Sequence, residues 1–348
     1  MSSLNKNLQL TFSGCGFLGI YHLGVVDCLR SYIPNLRERV DKIYGCSAGC
    51  LVGMMVLCDK QMSECLGIVK EVVVELSEIW GGPLNHSVNF SDALRKNLDS
   101  LLPPNAHEIA TDKLFISCTK FPYSNEIISK FDSKEELISA MIASSYVPGY
   151  AGWKFPEYRG EFYYDGGLSN NLPRGKDPNI SVAPFCGEID ICPEPSRFPF
   201  TKMQLAGHTL EISFTNIWRI ISALFPMSAE KLDQLFKEGK EDCRKFIESH
   251  PEILKSEITT KEYKYPEDFS PQEETGSFSI IRKGYQYITD TSIVGTIHVW
   301  KNWYALQLWE TLYEPKKKVS GITSYLTGKV SESLGIIYKL TSRSTKTN

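Results

Sequence analysis

Val40-Asp41-Lys42-Ile43-Tyr44-Gly45-Cys46-Ser47-Ala48-Gly49 carries an apolar stretch into a Gly-x-Ser-x-Gly turn. An apolar run, Cys50-Leu51-Val52-Gly53-Met54-Met55-Val56-Leu57, follows at once. The first part reads as a strand and the last as a helix reaching about Cys58. A serine on so sharp a strand-to-helix turn is held in a strained, exposed position, and small neighbours let strand and helix approach. The helix then points its first N–H groups and its positive dipole end at whatever reacts there.

Upstream the same arrangement occurs once more. Leu8–Ser13 reads as a strand, Gly14-Cys15-Gly16-Phe17-Leu18-Gly19 as a glycine loop, and Leu18, Tyr21, Val25, Leu29 and Tyr32 recur at helical spacing until Pro34. A βαβα opening predicts an α/β domain with a largely parallel central sheet. The glycine loop has two readings. A dinucleotide fingerprint wants an acidic residue at the end of the next strand, but Asp41 stands at its start. An oxyanion hole needs only backbone N–H groups aimed at a carbonyl oxygen that gains charge.

Further along, helices are expected at about 62–80 and 90–101, with a turn at Trp80-Gly81-Gly82-Pro83. Leu114–Thr119 and Glu126–Phe131 read as a strand pair. Ser133 and Glu136 form a capping box opening a helix to about Tyr146. Glu161–Tyr164 is a strand entering Asp165-Gly166-Gly167, Ile180–Ala183 is expected as the last strand, and helices follow at about 214–225 and 229–249. An α/β domain is therefore expected over 1–250. A polar linker is expected over 251–279, and an aromatic-rich, then basic and amphipathic extension over 280–348.

A serine nucleophile needs a base, and two arrangements present themselves. A triad would place an acid and then a late histidine after Ser47; His208, His250 and His298 have that order. None of the three sits in a distinctive turn, and only 46 residues precede Ser47, few for the usual triad-bearing sheet. Alternatively, Asp165, at a strand end before two glycines, takes the serine proton directly.

As a set, Phe12-Ser13-Gly14-Cys15-Gly16-Phe17-Leu18-Gly19, Gly45-x-Ser47-x-Gly49, Gly82-Pro83-Leu84 and Asp165-Gly166-Gly167-Leu168-Ser169-Asn170-Asn171-Leu172-Pro173 are similar to the patatin-like phospholipase family. Pro184-Phe185, Gly187-Glu188 and Asp190-Ile191-Cys192-Pro193 extend the resemblance over about residues 8–250. It is nearest an animal branch, that of adiponutrin and adipose triglyceride lipase. The resemblance implies a patatin-like three-layer fold, here with a C-terminal helical extension, and a Ser–Asp dyad with neither metal nor cofactor. By position, Ser47 is the nucleophile and Asp165 the proton acceptor. Gly14, Cys15, Gly16, Phe17, Leu18 and Gly19 form the oxyanion hole, Gly45, Cys46, Ala48 and Gly49 the nucleophile elbow, and Gly166 and Gly167 the base turn. Where phospholipase members carry an Asp before the loop and a basic residue within it, Ser13 and Leu18 stand here, which favours neutral esters. Cys46 and Cys50 stand where alanines are expected.

The implied activity is fatty-acyl ester hydrolysis, foremost of triacylglycerol. Phospholipase A2, retinyl-ester hydrolase and acyl transferase are alternatives on the same dyad, and a weakly active droplet-binding protein is an alternative of another class. Ten cysteines without a CxxC pair and a polar N-terminus without a signal peptide lead to an expected cytoplasmic location, with peripheral attachment to droplets or membranes. The net charge of −3 argues against a nucleic-acid partner, yet conceals a split. Residues 315–348 hold seven Lys/Arg against one Glu, leaving 31 basic and 40 acidic residues, or −9, in residues 1–314. The cationic tail, with Val319, Ile322, Leu326, Val330, Leu334 and Ile337 on one stripe, fits an anionic lipid surface as partner.

Overall fold

The computed structural model describes residues 8–254 apart from 79–89, 149, 152–153, 176–178, 197–198 and 200. The turn at Trp80–Pro83, the linker, the aromatic-rich segment and the basic tail lie outside the described residues. The chain opens as β1 (Leu8–Phe12), a short 3-10 turn at Gly16–Leu18, α1 (Gly19–Tyr32), α2 (Leu36–Arg39), β2 (Val40–Cys46) and α3 (Ala48–Leu57). Next come α4 (Met62–Glu78), α5 (Phe90–Leu101), α6 (Ala106–Ala110), β3 (Leu114–Lys120), β4 (Ser124–Ile128) and α7 (Lys134–Ser144). The remainder is β5 (Glu157–Tyr158), β6 (Glu161–Asp165), β7 (Ile180–Val182), β8 (Thr201–Leu205), β9 (His208–Ile212), α8 (Phe214–Ala223) and α9 (Ala229–Ser249).

Seven strands form one mixed sheet in the order β5-β6-β3-β2-β1-β7, with β4 on β3. Its centre is parallel: β1 pairs with β2 and β7, and β2 with β3. β1 is buried along its whole length, as a central strand covered on both faces must be. Its two polar side chains are accommodated inside; Thr11 Oγ1 donates to Asn179 Oδ1 at 3.1 Å. α9 returns to pack on α1, with Tyr21 Oη donating to Asp242 Oδ2 at 2.8 Å, which places α9 within the α/β body.

Three details differ from expectation. The partner of β3 is Ser124–Ile128 rather than Glu126–Phe131, because a tight turn begins the return strand directly after Lys120. Ser133 caps α7 through Glu136 N (3.1 Å), but the Glu136 carboxylate reaches Asp132 N (2.6 Å) rather than the cap's own N–H, and the helix ends at Ser144. β7 is not the last strand. A hairpin, β8–β9, follows it, closed by Ala206 and Gly207, both at positive φ as a two-residue hairpin loop requires. Residues 201–204 are all exposed, so none of these four positions of β8 contributes to a buried strand face.

Candidate active site

β3 acts as the ruler of the site. Cys46, the last residue of β2, is in register with Ser117, and Asp165, the last residue of β6, is in register with Cys118. Ser47 and Asp165, 118 positions apart in sequence, thus leave the sheet one residue step apart along the same strand. Phe12, at the end of β1, is in register with Gly45 and Val182, so the glycine loop departs from the same level. All of this happens at the carboxyl edge of the parallel strands, where open α/β sheets place their sites.

Ser47 takes φ 49° and ψ −126°, the left-handed region that a residue with a side chain seldom enters. The strain is held from three sides. Its N–H donates to Ser144 Oγ at 2.9 Å, and Ser144 Oγ donates in turn to Ser117 O at 2.7 Å. Its carbonyl accepts from Cys50 N at 2.9 Å, tying the elbow into α3. Gly49 lets that helix approach the end of β1: a Cβ there would lie 2.2 Å from Phe12 O. The N–H groups of Ala48 and Gly49, in the first turn of α3, have no acceptor among the described residues, as expected of a helix N-terminus.

Asp165 is 6% exposed. Its backbone is fixed by Asp165 N donating to Tyr146 O (2.8 Å) and by Thr119 Oγ1 donating to Asp165 O (2.8 Å). Oδ1 accepts from Gly167 N at 2.7 Å and from the Cys46 thiol at 3.7 Å, and the Ser47 side chain lies close enough to favour the ionised carboxylate. Burial pushes its pKa up to about 6, against the lesser, opposite pull of the Gly167 N–H, the Ser47 hydroxyl and the Cys46 thiol. Among the described residues, no cation bears on it.

The glycine loop lies over the elbow. A Cβ on Gly14 would stand 3.3 Å from Ser47 Cβ, and one on Gly19 would stand 3.1 Å from Ala48 Cβ. Six residues were expected to offer N–H groups, and three of those groups are already engaged. Gly14 N donates to Asn171 O (3.1 Å), Leu18 N to Cys15 O (3.0 Å) and Gly19 N to Gly16 O. Those of Cys15, Gly16 and Phe17 have no acceptor among the described residues, so the donor set narrows to these three with the first turn of α3. Leu18 is 1% exposed and packs in the core, so its side chain faces no substrate. Beneath the loop, burial lowers the pKa of His22 to about 4. The neutral ring donates from Nε2 to Ser13 O at 2.9 Å, fixing the loop's first turn.

The late histidines do other work. His208 is buried, its pKa lowered to about 4 mainly by that burial, and its Nδ1 donates to Ala206 O (3.4 Å). His250 lies against Phe246 O (3.0 Å). Neither bonds to Ser47 or Asp165, and His298 lies outside the described residues. All ten cysteines are free thiols. Among the described residues no group of three or more His, Cys, Asp or Glu is placed to hold a metal ion, and no helix is long and apolar enough to cross a membrane.

Residues 10–175 match the model of the patatin-like phospholipase family. Human patatin-like phospholipase domain-containing protein 4 is 36% identical over 245 residues, 70% of this chain and 97% of that protein. The chain belongs to the patatin-like phospholipase family. Its fold is accordingly the patatin fold. Mouse patatin-like phospholipase domain-containing protein 2 is 38% identical over 241 residues, 69% of this chain and 50% of that protein. A mouse protein named 1-acylglycerol-3-phosphate O-acyltransferase Pnpla3 is 33% identical over 247 residues, 70% of this chain and 60% of that protein. The matched part thus spans about half the length of the protein 2 relatives.

Two residues of this patatin-like site were not visible as site residues in the sequence. Ser144, on α7, carries no motif; only the register of β3 brings it to Ser47. Asn171 stood within the quoted motif without a role. Its carbonyl holds Gly14 N, its N–H donates to Ala206 O at 2.8 Å, and its Oδ1 would meet a Cβ on either Gly14 (2.5 Å) or Gly167 (2.9 Å). Asn171 therefore joins the glycine loop to the base turn, a link that spacing alone does not reveal.

Proposed function

We propose that this chain is a serine lipid hydrolase that cleaves fatty-acyl esters through Ser47 and Asp165, with triacylglycerol at lipid droplets as its main substrate. The observation that carries this reading is the Ser47 side chain set by the β3 register beside a buried carboxylate, Asp165, whose pKa is pushed up to about 6. At pH 7 such a group is about nine-tenths ionised, yet basic enough to accept a proton.

Ser47 Oγ forms a bond to the ester carbonyl carbon while its proton passes to Asp165, and the carbonyl π electrons move onto oxygen. That oxyanion is met by the N–H groups of Cys15, Gly16 and Phe17 and by the N-terminus of α3. As the tetrahedral centre collapses, the bond to the leaving alkoxide breaks and the alkoxide takes the proton from Asp165. Water then repeats the sequence on the acyl-enzyme and frees the fatty acid.

Neutral esters are favoured because, among the described residues, no cation bears on Asp165, and the loop position where phospholipase members carry a basic residue is Leu18, turned into the core. Acyl transfer is a second reading, favoured by the printed name of the mouse acyltransferase relative. It requires only that an acylglycerol hydroxyl replace water. The cationic tail over residues 315–348, with its apolar stripe, supports peripheral attachment from the cytoplasm. A protein co-activator is compatible with this scheme.

A fluorophosphonate probe is expected to label the wild-type chain and not Ser47→Ala. Purified protein is expected to release fatty acid from triolein emulsion faster than from phosphatidylcholine. Equal labelling of Ser47→Ala would remove the nucleophile assignment. Faster release from phosphatidylcholine, or label-competent protein that releases no fatty acid, would remove the triacylglycerol assignment.

A further inference from the structure

α8 is amphipathic in the reverse of the usual sense. Its buried side chains are Asn216, Ser222 and Ala223. Outside, Phe214 is 74% exposed, and Ile217, Ile220 and the C-cap Leu224 are each about two-fifths exposed. These four fall on one stripe at spacings of three and four residues. The inner face is pinned by polar bonds. Asn216 Nδ2 donates to Cys186 O (2.7 Å) and Glu211 O (2.6 Å), and its Oδ1 accepts from Cys186 N (2.9 Å). Arg219, the one charge in α8, turns away from the stripe to Glu238 of α9 at 2.9 Å. Rolling the helix to hide its apolar side would break every one of these bonds and leave the buried backbone groups of Cys186 and Glu211 without their Asn216 partner.

The helix also borders the candidate active site. A Cβ on Gly16 would lie 2.0 Å from Ala223 O, so the last turn of α8 rests on the glycine loop. Tyr150 Oη donates to Leu224 O at 2.7 Å, and Tyr150 packs against the cluster of Tyr146, Ala151 and Tyr164 that precedes Asp165.

We propose that the outward face of α8 is the surface by which the protein settles on an uncharged lipid layer, setting the mouth of the site against its substrate. This rests on the lipid-ester reading above. Size and charge single out lipid as the occupant. A stable protein interface takes about 20–30 residues a side, far more than one ten-residue helix face offers. Four uncharged side chains on a rigid helix instead suit shallow insertion at the head-group and acyl boundary. An apolar stripe held outward by polar anchors is costly in water and favourable in lipid.

The test uses the full chain with phosphatidylcholine vesicles and with triolein emulsion coated by phosphatidylcholine, read by flotation. Ile217→Glu/Ile220→Glu is expected to lower partitioning onto both at least tenfold, while hydrolysis of dissolved p-nitrophenyl butyrate stays within twofold of wild type. If that variant does not fold, Ile220→Cys labelled with bimane, with labelling of the unsubstituted chain subtracted, is expected to shift to the blue and to gain protection from iodide when vesicles are added. Unchanged partitioning of a folded double variant overturns the proposal. So does a label that stays water-exposed while the protein is lipid-bound. A label already shielded from iodide without lipid also overturns it, because another segment or a second copy then covers the face. If the wild type hydrolyses no acyl ester at all, the lipid-ester reading fails, whereas flotation still reports on α8.

Discussion

The Sγ of Cys46 lies 3.7 Å from Oδ1 of Asp165, so the residue just before the proposed nucleophile donates to the proposed base. The thiol is fully buried, and burial, with the nearby Asp165 charge, holds its own pKa well above the usual value, so it stays S–H and a donor. Donation to the ionised carboxylate favours that form. Cys46→Ala is therefore expected to move the ascending limb of the kcat/KM against pH profile upward from about 6, by about 0.5 unit for a weak donor. Cys46→Ser, which keeps a donor, is expected to restore most of the shift. A profile that does not move in Cys46→Ala would show that the contact has no influence on the base.

Asp165→Asn separates catalysis from stability. Loss of the proton acceptor is expected to lower kcat by about 10³-fold, within the range for general-base removal. Stability is expected to change the other way. The folded pKa is raised from 3.8 to about 6, so between these values the folded chain binds a proton that the unfolded chain has released. Wild-type stability therefore falls as pH rises across that window. Above pH 7 the neutral amide is expected to be the more stable by about 3 kcal/mol, an advantage that vanishes below about pH 4. Thermal melts of both chains from pH 4 to 8 measure it; a gap independent of pH would mean that the carboxylate is not destabilised by burial.

Ser144→Ala removes the acceptor of Ser47 N–H and the donor to Ser117 O in one step. Both groups are buried, so the expected cost is about 1–3 kcal/mol of stability. Because the bond holds Ser47 at positive φ, kcat is expected to fall about tenfold with KM for a dissolved ester little changed. Ser144→Thr, which keeps the hydroxyl, is expected to retain more activity. Denaturant melts and steady-state kinetics on the three chains decide it; loss of stability with full kcat would make Ser144 a packing residue alone.

The sheet, its parallel centre and the positions of Ser47, Asp165 and the glycine loop were legible because each sits where an apolar strand meets small residues, a boundary that sequence displays directly. That Ser47 and Asp165 meet was given by resemblance rather than by spacing, since the encounter depends on β3 pairing with both β2 and β6. Ser144 and Asn171 owe their roles to that same long-range register. The division of labour within Gly14–Gly19 was hidden too, because which N–H groups remain open depends on Asn171 O and on the 3-10 turn. The β8 strand escaped notice because it is short and residues 201–204 are all exposed, and the outward stripe of α8 reads in sequence as an ordinary core-facing helix until its anchors are seen.

His208 supplies a discriminating control. As a late histidine it has the chain order of a triad base, yet its ring is buried and neutral, its pKa lowered to about 4, and it donates to Ala206 O. His208→Gln keeps a donor of similar reach at that carbonyl. It is expected to leave both kcat and the limb near pH 6 within twofold and a few tenths of a unit of wild type, at a stability cost of about 1 kcal/mol. His250→Gln, against Phe246 O at the end of α9, is expected to do the same. Loss of the acidic limb in either variant, measured as kcat/KM on a dissolved ester from pH 4.5 to 8, would transfer the base from Asp165 to that histidine and replace the dyad by a triad.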